Sequence, residues 1–513
     1  MAHSLKPIFM AAKTLMIQGT ASHVGKSVLV TGLCRLFVRR GLRVAPFKAQ
    51  NMSNNSFVTP DGREIGRAQA VQATACRLAP RTDFNPVLIK PESDCRAQLV
   101  VDGQVAGSLA ASDFGRIRRE HFESVRQAFG RLASEFDLVI LEGAGSPAEI
   151  NLRDQDIVNM RMAREAAAPV LLIGDIDRGG AFASLVGTAS LLEPDERRYL
   201  KGFLINKFRG DPDLMRPGIR TVVSLTTIPC LGIIPYANEL RVPQEDSVAW
   251  EEWPEQNREG LGQEARDEKL LIGVADLPAI SNFTDLEALA SEPDLRLVKV
   301  RQENGQPFDA LIIPGTKNTP EALRFIKNRG IDRMVRRVLG DGGAVLGICG
   351  GYQILGTRIL DPHHVESAER ELVGLCLLDV ETSFERAKVT IEVTGVDPAS
   401  GCPIGGYEVH MGRTTLGRQA RPWLQVRSAD DITPRSEGAV SVDGRVYGTY
   451  VHGLFDFPEF RRVVLNRLRA ARGWPPIEAR RDRALEETLD HLADFVAAHV
   501  DVGAIEAIIE RGV

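Results

Sequence analysis

Apolar residues fall in short, nearly unbroken runs along the first 240 positions: Thr14–Gly19, Arg43–Lys48, Asp137–Glu142, Pro169–Asp175, Gly202–Asn206 and Leu231–Pro235. Runs of Val, Ile and Leu without polar alternation mark parallel strands buried on both faces. Stretches of helical spacing separate them, so the pattern predicts an α/β layer of helices over a parallel sheet. The periodicity stops between Pro243 and Glu268, where Asp and Glu crowd the chain. That segment reads as a solvated linker over 241–268.

A second α/β series begins after it, with strands predicted at Leu270–Ala275, Leu295–Val300, Ala310–Pro314 and Ala344–Ile348. Lys388–Val393 and Val446–Val451 alternate in character and predict antiparallel pairing. Leu485, Leu489, Leu492 and Val496 repeat at helical spacing and predict a helix docked on a domain surface. The expected organisation is a first domain over 1–240, the linker, a second domain over 269–470 and a helical tail over 471–513.

At 513 residues the chain is too long for one ordinary core, which agrees with this division. A net charge of −5 and no basic patch interleaved with aromatics argue against nucleic acid as a partner. An acidic substrate must then be held by local Lys and Arg. Seven scattered cysteines without a C-x-x-C pair indicate neither a disulfide framework nor a zinc ribbon, and fit reduced thiols in a cytoplasm. The N-terminal apolar stretch is broken by Lys6, Pro7 and Lys13, so no signal peptide is expected. No segment approaches the roughly 20 apolar residues of a membrane helix, so no membrane association is expected.

Two stretches carry chemistry. The first is Gly19-Thr20-Ala21-Ser22-His23-Val24-Gly25-Lys26-Ser27, between a strand and the apolar helical run Val28–Val38. Glycines at such a turn let backbone N–H groups approach a phosphate, while Lys26 reaches the terminal phosphates and Ser27 sits on Mg²⁺. Gly19, Thr20, Gly25, Lys26 and Ser27 are therefore the expected nucleotide-binding residues, with ATP and Mg²⁺ as cofactors. Glu142 ends a strand in Leu141-Glu142-Gly143-Ala144-Gly145 and is a metal candidate, or else caps the next turn. Glu64, ahead of a helical run through Gln69 and Gln72, is a second metal candidate. Asn206, before Lys207 at another strand end, is placed to read an adenine edge. Asp175 and Asp177 share that edge; they hold metal or cap a glycine turn, and the sequence leaves both open.

The second stretch is Gly347-Ile348-Cys349-Gly350-Gly351-Tyr352-Gln353. A glycine-lined turn between strand and helix exposes a nucleophile, and a helix N-terminus favours a thiolate. Gly350 and Gly315, the latter in Ile313-Pro314-Gly315-Thr316, are candidate oxyanion donors. His452, in Tyr450-Val451-His452-Gly453-Leu454, is the candidate base. A thiol and a base of this kind split an amide. One chain with both stretches suggests ammonia released at one site and used at an ATP-driven one.

The longer spacing of the phosphate loop resembles dethiobiotin synthetase and its relatives. Cys349, Pro314-Gly315 and His452 resemble the class I glutamine amidotransferases, which implies a flavodoxin-like second domain. Most of that class has Glu two places after the His, whereas here Gly453-Leu454 follows, as in the branch of cobyric acid synthase and cobyrinate diamide synthase. Glu408, in Gly406-Tyr407-Glu408-Val409-His410, is a candidate substitute for the orienting group. The strings Pro46-Phe47-Lys48-Ala49-Gln50-Asn51-Met52-Ser53-Asn54-Asn55, Glu64-Ile65-Gly66-Arg67-Ala68-Gln69-Ala70 and Asn85-Pro86-Val87-Leu88-Ile89-Lys90-Pro91 are similar to the cobyric acid synthase family.

The resemblance implies ATP- and glutamine-dependent amidation of the b, d, e and g carboxylates of adenosyl-cobyrinic acid a,c-diamide, giving adenosyl-cobyric acid in cobalamin biosynthesis. Glutamine and a corrinoid are the implied small-molecule partners, with Lys48, Gln50, Asn51 and Lys90 as candidate substrate contacts. Arg63 and Arg67 are further cations for the corrin carboxylates or plain surface charges. A cobyrinate a,c-diamide synthase, or a switch ATPase of the partitioning type, remains an alternative at this point.

Overall fold

The computed structural model describes residues 12–93, 96–110, 120–237, 269–303, 305–429, 431, 433–480 and 485–513. The expected acidic linker over 241–268 lies outside them. The first domain has a six-stranded parallel sheet. Its strands are β1 (Lys13–Gly19), β2 (Val44–Phe47), β3 (Leu138–Glu142), β4 (Val170–Asp175), β5 (Leu200–Phe208) and β6 (Cys230–Pro235), in the order β6-β5-β4-β1-β3-β2. These are the six aliphatic runs; Leu15, Leu138, Ile140, Leu171 and Leu204 pack on one face and Met16, Val139, Leu141, Val170 and Ile205 on the other.

The helix after the phosphate loop, α1 (Lys26–Arg39), lies on the first of these faces. A shorter helix, α2 (Arg67–Ala75), packs beside it. The patterning does not mark a smaller sheet built between β2 and β3 from Gln50–Met52, Val87–Ser93, Arg96–Val101 and Gln104–Ala110.

The second domain begins with β7 (Leu270–Ala275), β8 (Leu295–Val300), β9 (Ala310–Ile313) and β10 (Ala344–Ile348). A six-residue helix, α3 (Gly350–Leu355), follows β10. A long antiparallel hairpin of β11 (Val380–Val396) and β12 (Pro403–Leu416) comes next, and includes the predicted strand at Lys388–Val393. The expectation for Val446–Val451 is corrected in part. β13 (Val446–Thr449) runs parallel to β10 inside the main sheet and is antiparallel only to Ala439–Ser441. Its alternation arises because it is the last parallel strand before the antiparallel edge.

The tail forms α4 (Leu485–His499) and α5 (Val502–Arg511). Both return to the first domain, where Leu489, Leu492, Val496, Ile505 and Ile509 join the core around Leu29, Leu33 and Phe37 of α1. Burying each such side chain contributes about 1.5–3 kcal/mol. Gly32 permits the approach, since a Cβ there would lie 2.6 Å from Val496 Cγ2. Buried Arg35 of α1 ties the pair with bonds to Asp490 (2.7 Å) and Glu486 (2.6 Å).

Candidate active site

The phosphate loop joins β1 to α1 through Gly25, whose φ of +98° favours glycine. A Cβ at Gly25 would stand 2.1 Å from Asn206 Nδ2. The Asn206 amide donates to the Val24 carbonyl at 2.8 Å, so in this structure it braces the loop from the end of β5. Lys26 Nζ spans the loop, bonding the carbonyls of Ala21 (2.9 Å) and Gly145 (3.3 Å). Ser27 Oγ donates to Glu142 Oε1 at 2.8 Å. The strand-end carboxylate is therefore beside the loop's hydroxyl.

Glu142 is buried and also accepts from Lys48 Nζ (2.9 Å) and Gln72 Nε2 (2.6 Å). The Gln72 Oε1 is buried without a hydrogen-bond partner. A hydroxyl, a carboxylate and an orphaned amide oxygen form a donor set suited to a hard cation, which completes its shell with water and phosphate oxygens. The residues present therefore fit Mg²⁺.

Glu64 is not part of this set. Its two oxygens are taken by Lys90 and by Lys388, which reaches across from β11 of the second domain. Burial alone would raise the Glu64 carboxyl, but the Lys388 and Lys90 ammonium groups hold it well below the usual range. Burial and the neighbouring Lys317 and Lys388 charges push Lys90 well down, against the pull of Glu64. Lys90 also donates to Ser56 Oγ at 2.8 Å. Among the other candidate substrate contacts, Asn51 donates to Gln69 (3.1 Å), and Gln50 has a buried Oε1 with no partner. Asp175 accepts from the Asp177 N–H (2.9 Å) and pairs with Lys207, while Asp177 pairs with Arg209. That geometry is the turn-capping alternative.

In the second domain Cys349 sits between β10 and α3 with φ +51° and ψ −109°. Such a conformation costs a non-glycine residue about 1–3 kcal/mol and is held by the packing around it. The Cys349 N–H donates to the Thr449 carbonyl at 2.8 Å. A Cβ on Gly351 would lie 1.9 Å from the Ile313 oxygen, and one on Gly350 would lie 2.7 Å from Thr316 Cγ2. Only glycines let α3 start this close to the end of β9. Gly315 lies against the base: a Cβ there would be 3.2 Å from His452 Cε1.

His452 is buried, and its Nδ1 meets Asp285 Oδ2 at 2.7 Å. Asp285 Oδ1 accepts from the Gly453 N–H at 2.8 Å, which fixes the carboxylate on both oxygens. The His452 Nε2 is buried and makes no hydrogen bond among the described residues, while the Cys349 Sγ donates to the Val409 carbonyl at 3.8 Å. Burial would lower the imidazole, but Asp285 and then Cys349 outweigh it and push it up to about 10. A thiol, an imidazole and a carboxylate that orients the imidazole are the groups that cleave an amide.

Glu408 is corrected as the orienting group. Tyr407 is the residue of β12 that faces His452: their backbones exchange N–H···O bonds at 3.1 and 2.9 Å, and the rings stack with centroids 5.5 Å apart. Alternation then sends Glu408 to the other side of the strand. There it bonds Arg435 (2.6 Å) and His410 (3.4 Å). Asp285 was not visible from the sequence because it precedes His452 by 167 residues, in an unremarked Asn282-Phe283-Thr284-Asp285 turn. A carboxylate shortly after the first strand of that domain was the only available signal.

Comparison with known proteins agrees with this division of labour. Residues 15–248 match the CobQ/CobB/MinD/ParA nucleotide binding domain, and residues 271–460 match the CobB/CobQ-like glutamine amidotransferase domain. A cobyric acid synthase of Dehalococcoides mccartyi is 48% identical, over 98% of this chain and 99% of that protein. Cobyric acid synthases of Sorangium cellulosum and Hyphomonas neptunium are each 47% identical, over 98% and 97% of this chain and 99% and 98% of theirs. Among the described residues, no helix is long and apolar enough to cross a membrane.

Proposed function

Because the chain belongs to the cobyric acid synthase family, we propose that it amidates the b, d, e and g carboxylates of adenosyl-cobyrinic acid a,c-diamide to give adenosyl-cobyric acid. Glutamine supplies the nitrogen and ATP the energy. The observation that carries the reading is one chain holding two complete sets of side chains, Cys349–His452–Asp285 and Lys26–Ser27–Glu142, in domains that touch.

Glutamine splitting uses the second domain. Cys349 attacks the side-chain amide carbon, and the Gly315 and Gly350 N–H groups take the developing oxyanion. His452, oriented through Nδ1 by Asp285, delivers a proton from Nε2 to the leaving ammonia. Water then opens the glutamyl thioester, with His452 taking its proton. The fixed Asp285 carboxylate keeps the proton-bearing form of the ring available at neutral pH.

The first domain activates the corrin carboxylate. A carboxylate is a poor acyl electrophile, and transfer of the ATP terminal phosphoryl group to it gives an acyl phosphate that ammonia attacks. Lys26 neutralises the transferring phosphoryl group, and the loop N–H groups hold the remaining phosphates. Ser27 and Glu142 would hold Mg²⁺, which when bound would supply charge neutralisation for the phosphates. Lys48, Gln50, Asn51 and Lys90 line the acceptor side, with Lys48 already on Glu142. The cobalt belongs to the substrate.

The experiment is Cys349→Ala assayed with each nitrogen source. Glutamine-dependent amidation should vanish, and turnover with high ammonia should stay within about threefold of native, since the thiolate serves only nitrogen release. Loss of both activities in a folded variant would refute the two-site division.

A further inference from the structure

Three lysines and one carboxylate meet where the two domains touch. Lys90, on the strand Val87–Ser93 of the first domain, bonds Glu64 and also Ser56 Oγ (2.8 Å). Lys388, on β11 of the second domain, bonds the other oxygen of Glu64. Lys317, which follows β9 and the Pro314-Gly315-Thr316 turn, completes the group. Its Nζ donates to Gln98 Oε1 at 3.3 Å, and Lys388 Nζ donates to the same oxygen at 3.3 Å. Among the described residues Lys317 forms no ion pair with a carboxylate. Glu64 and Lys90 are almost wholly buried, whereas Lys317 and Lys388 are half-buried and keep some contact with solvent.

The charges of this cluster do not balance. Three ammonium groups face one carboxylate, and two of them share a single neutral amide oxygen. The further carboxylates that act on Lys317 are Glu366 and Glu92. Burial pushes Glu366 up to about 7, and it accepts the Thr319 N–H at 3.0 Å. Burial and the Lys388 charge push Lys317 down. Buried cations in excess are costly unless an anion joins them. An ion cluster serving the fold alone has no use for Lys317, because its removal would relieve repulsion and leave both Glu64 bonds in place. A cost carried by the empty protein points to a ligand that offsets it.

The same contacts give the class of the ligand. Two ammonium groups, each 3.3 Å from one oxygen, mark where an anionic oxygen fits. A carboxylate there exchanges two bonds to a neutral amide for two charge-assisted ones. The polycarboxylate of the proposed reaction supplies it. One carboxyl is activated beside Glu142, and the product is itself still an acid, so another carboxylate is present in every round. We infer that Lys317 and Lys388, backed by Lys90, form a subsite for a carboxylate of the corrinoid other than the one being activated. The inference rests on the amidation reading above. It adds two residues of the second domain to corrin binding, so the substrate bridges the domains. With a net charge of −5 the chain offers no general attraction to an acidic substrate, and this local excess of ammonium groups supplies one.

The test measures binding of adenosyl-cobyrinic acid a,c-diamide to the full-length protein by equilibrium dialysis, beside binding of its methyl ester, in which the carboxylate charges are gone. Lys317→Met should raise Kd for the acid by about tenfold or more and change Kd for the ester by less than about threefold. In ammonia-dependent synthesis its KM for the corrinoid should rise in step, while kcat and KM for ATP stay within about threefold, since the reacting carboxyl is held elsewhere. Its unfolding midpoint should be unchanged or higher, because an unbalanced charge is removed. Lys388→Met should weaken the acid likewise but lower the midpoint, because Glu64 loses a partner. Lys327→Gln, which removes a charge that meets only the Val373 carbonyl, should change neither Kd. An unchanged Kd for the acid in Lys317→Met overturns the proposal. So does equal weakening of acid and ester, or a fall in kcat with Kd unaltered. Native protein that binds neither form overturns the amidation reading, and the subsite with it.

Discussion

Asp285→Asn removes one charge and leaves the shape of the amide site nearly intact. The carboxylate holds His452 Nδ1 at 2.7 Å and the Gly453 N–H at 2.8 Å, with both side chains buried. Against burial, it is the largest influence raising the imidazole from 6.5 to about 10. At about 1.4 kcal/mol for each pH unit, that rise represents about 5 kcal/mol favouring the protonated ring. If half of it is lost from the transition state, kcat for glutamine falls about 60-fold; if all is lost, about 3,000-fold. The expected result lies in that window, with KM for glutamine changed less than about threefold and ammonia-dependent synthesis spared. The alkaline limit of glutamine turnover should also move to lower pH, because burial unopposed by a carboxylate favours the neutral ring. Stability follows the same sign. The folded ring binds its proton more tightly than the unfolded one, so the pair's contribution is full below about pH 6.5. It is lost as pH rises through about 10. Glu408→Gln serves as the comparison, since Glu408 meets Arg435 and His410 rather than His452. Normal glutamine use by Asp285→Asn, or an equal loss in Glu408→Gln, would refute the assignment.

Lys26→Ala should remove synthesis with either nitrogen source, because carboxylate activation precedes both, and a near-native product rate would exclude the loop as the activating site. Glu142→Gln should raise the Mg²⁺ concentration needed for half-maximal synthesis by about tenfold or more, read by titration with ammonia as the nitrogen source. Gly32→Val places a branched side chain where a Cβ already meets Val496 at 2.6 Å. It should destabilise the first domain by about 1–3 kcal/mol in denaturant unfolding, and an unchanged midpoint would show that α4 does not pack there in solution.

What the sequence disclosed was chemistry written in adjacent residues. The six aliphatic runs became the six parallel strands, because a strand buried on both faces leaves no room for polar alternation. The phosphate loop and the cysteine turn were legible because each needs glycines at fixed short spacings. Partners distant along the chain were not. Glu64, a metal candidate from its place ahead of a helical run, lies in an ion cluster with Lys90 and with Lys388, which arrives from the other domain. Asp285 replaced Glu408 for the same reason, since register decides which of Tyr407 and Glu408 faces His452. The amphipathic tail announced a buried face but not its partner, which proved to be α1 of the first domain.

The proposed function joins glutamine splitting to ATP-driven amidation of a corrin on one chain. The most direct measurement is the mass of the product formed by purified native protein from adenosyl-cobyrinic acid a,c-diamide, glutamine, ATP and Mg²⁺. Conversion of the b, d, e and g carboxyls to amides, with glutamate and ADP released alongside, is the predicted result. An a,c-diamide recovered unchanged while cobyrinic acid gains amides at a and c would rule out the proposed function and assign the earlier step instead.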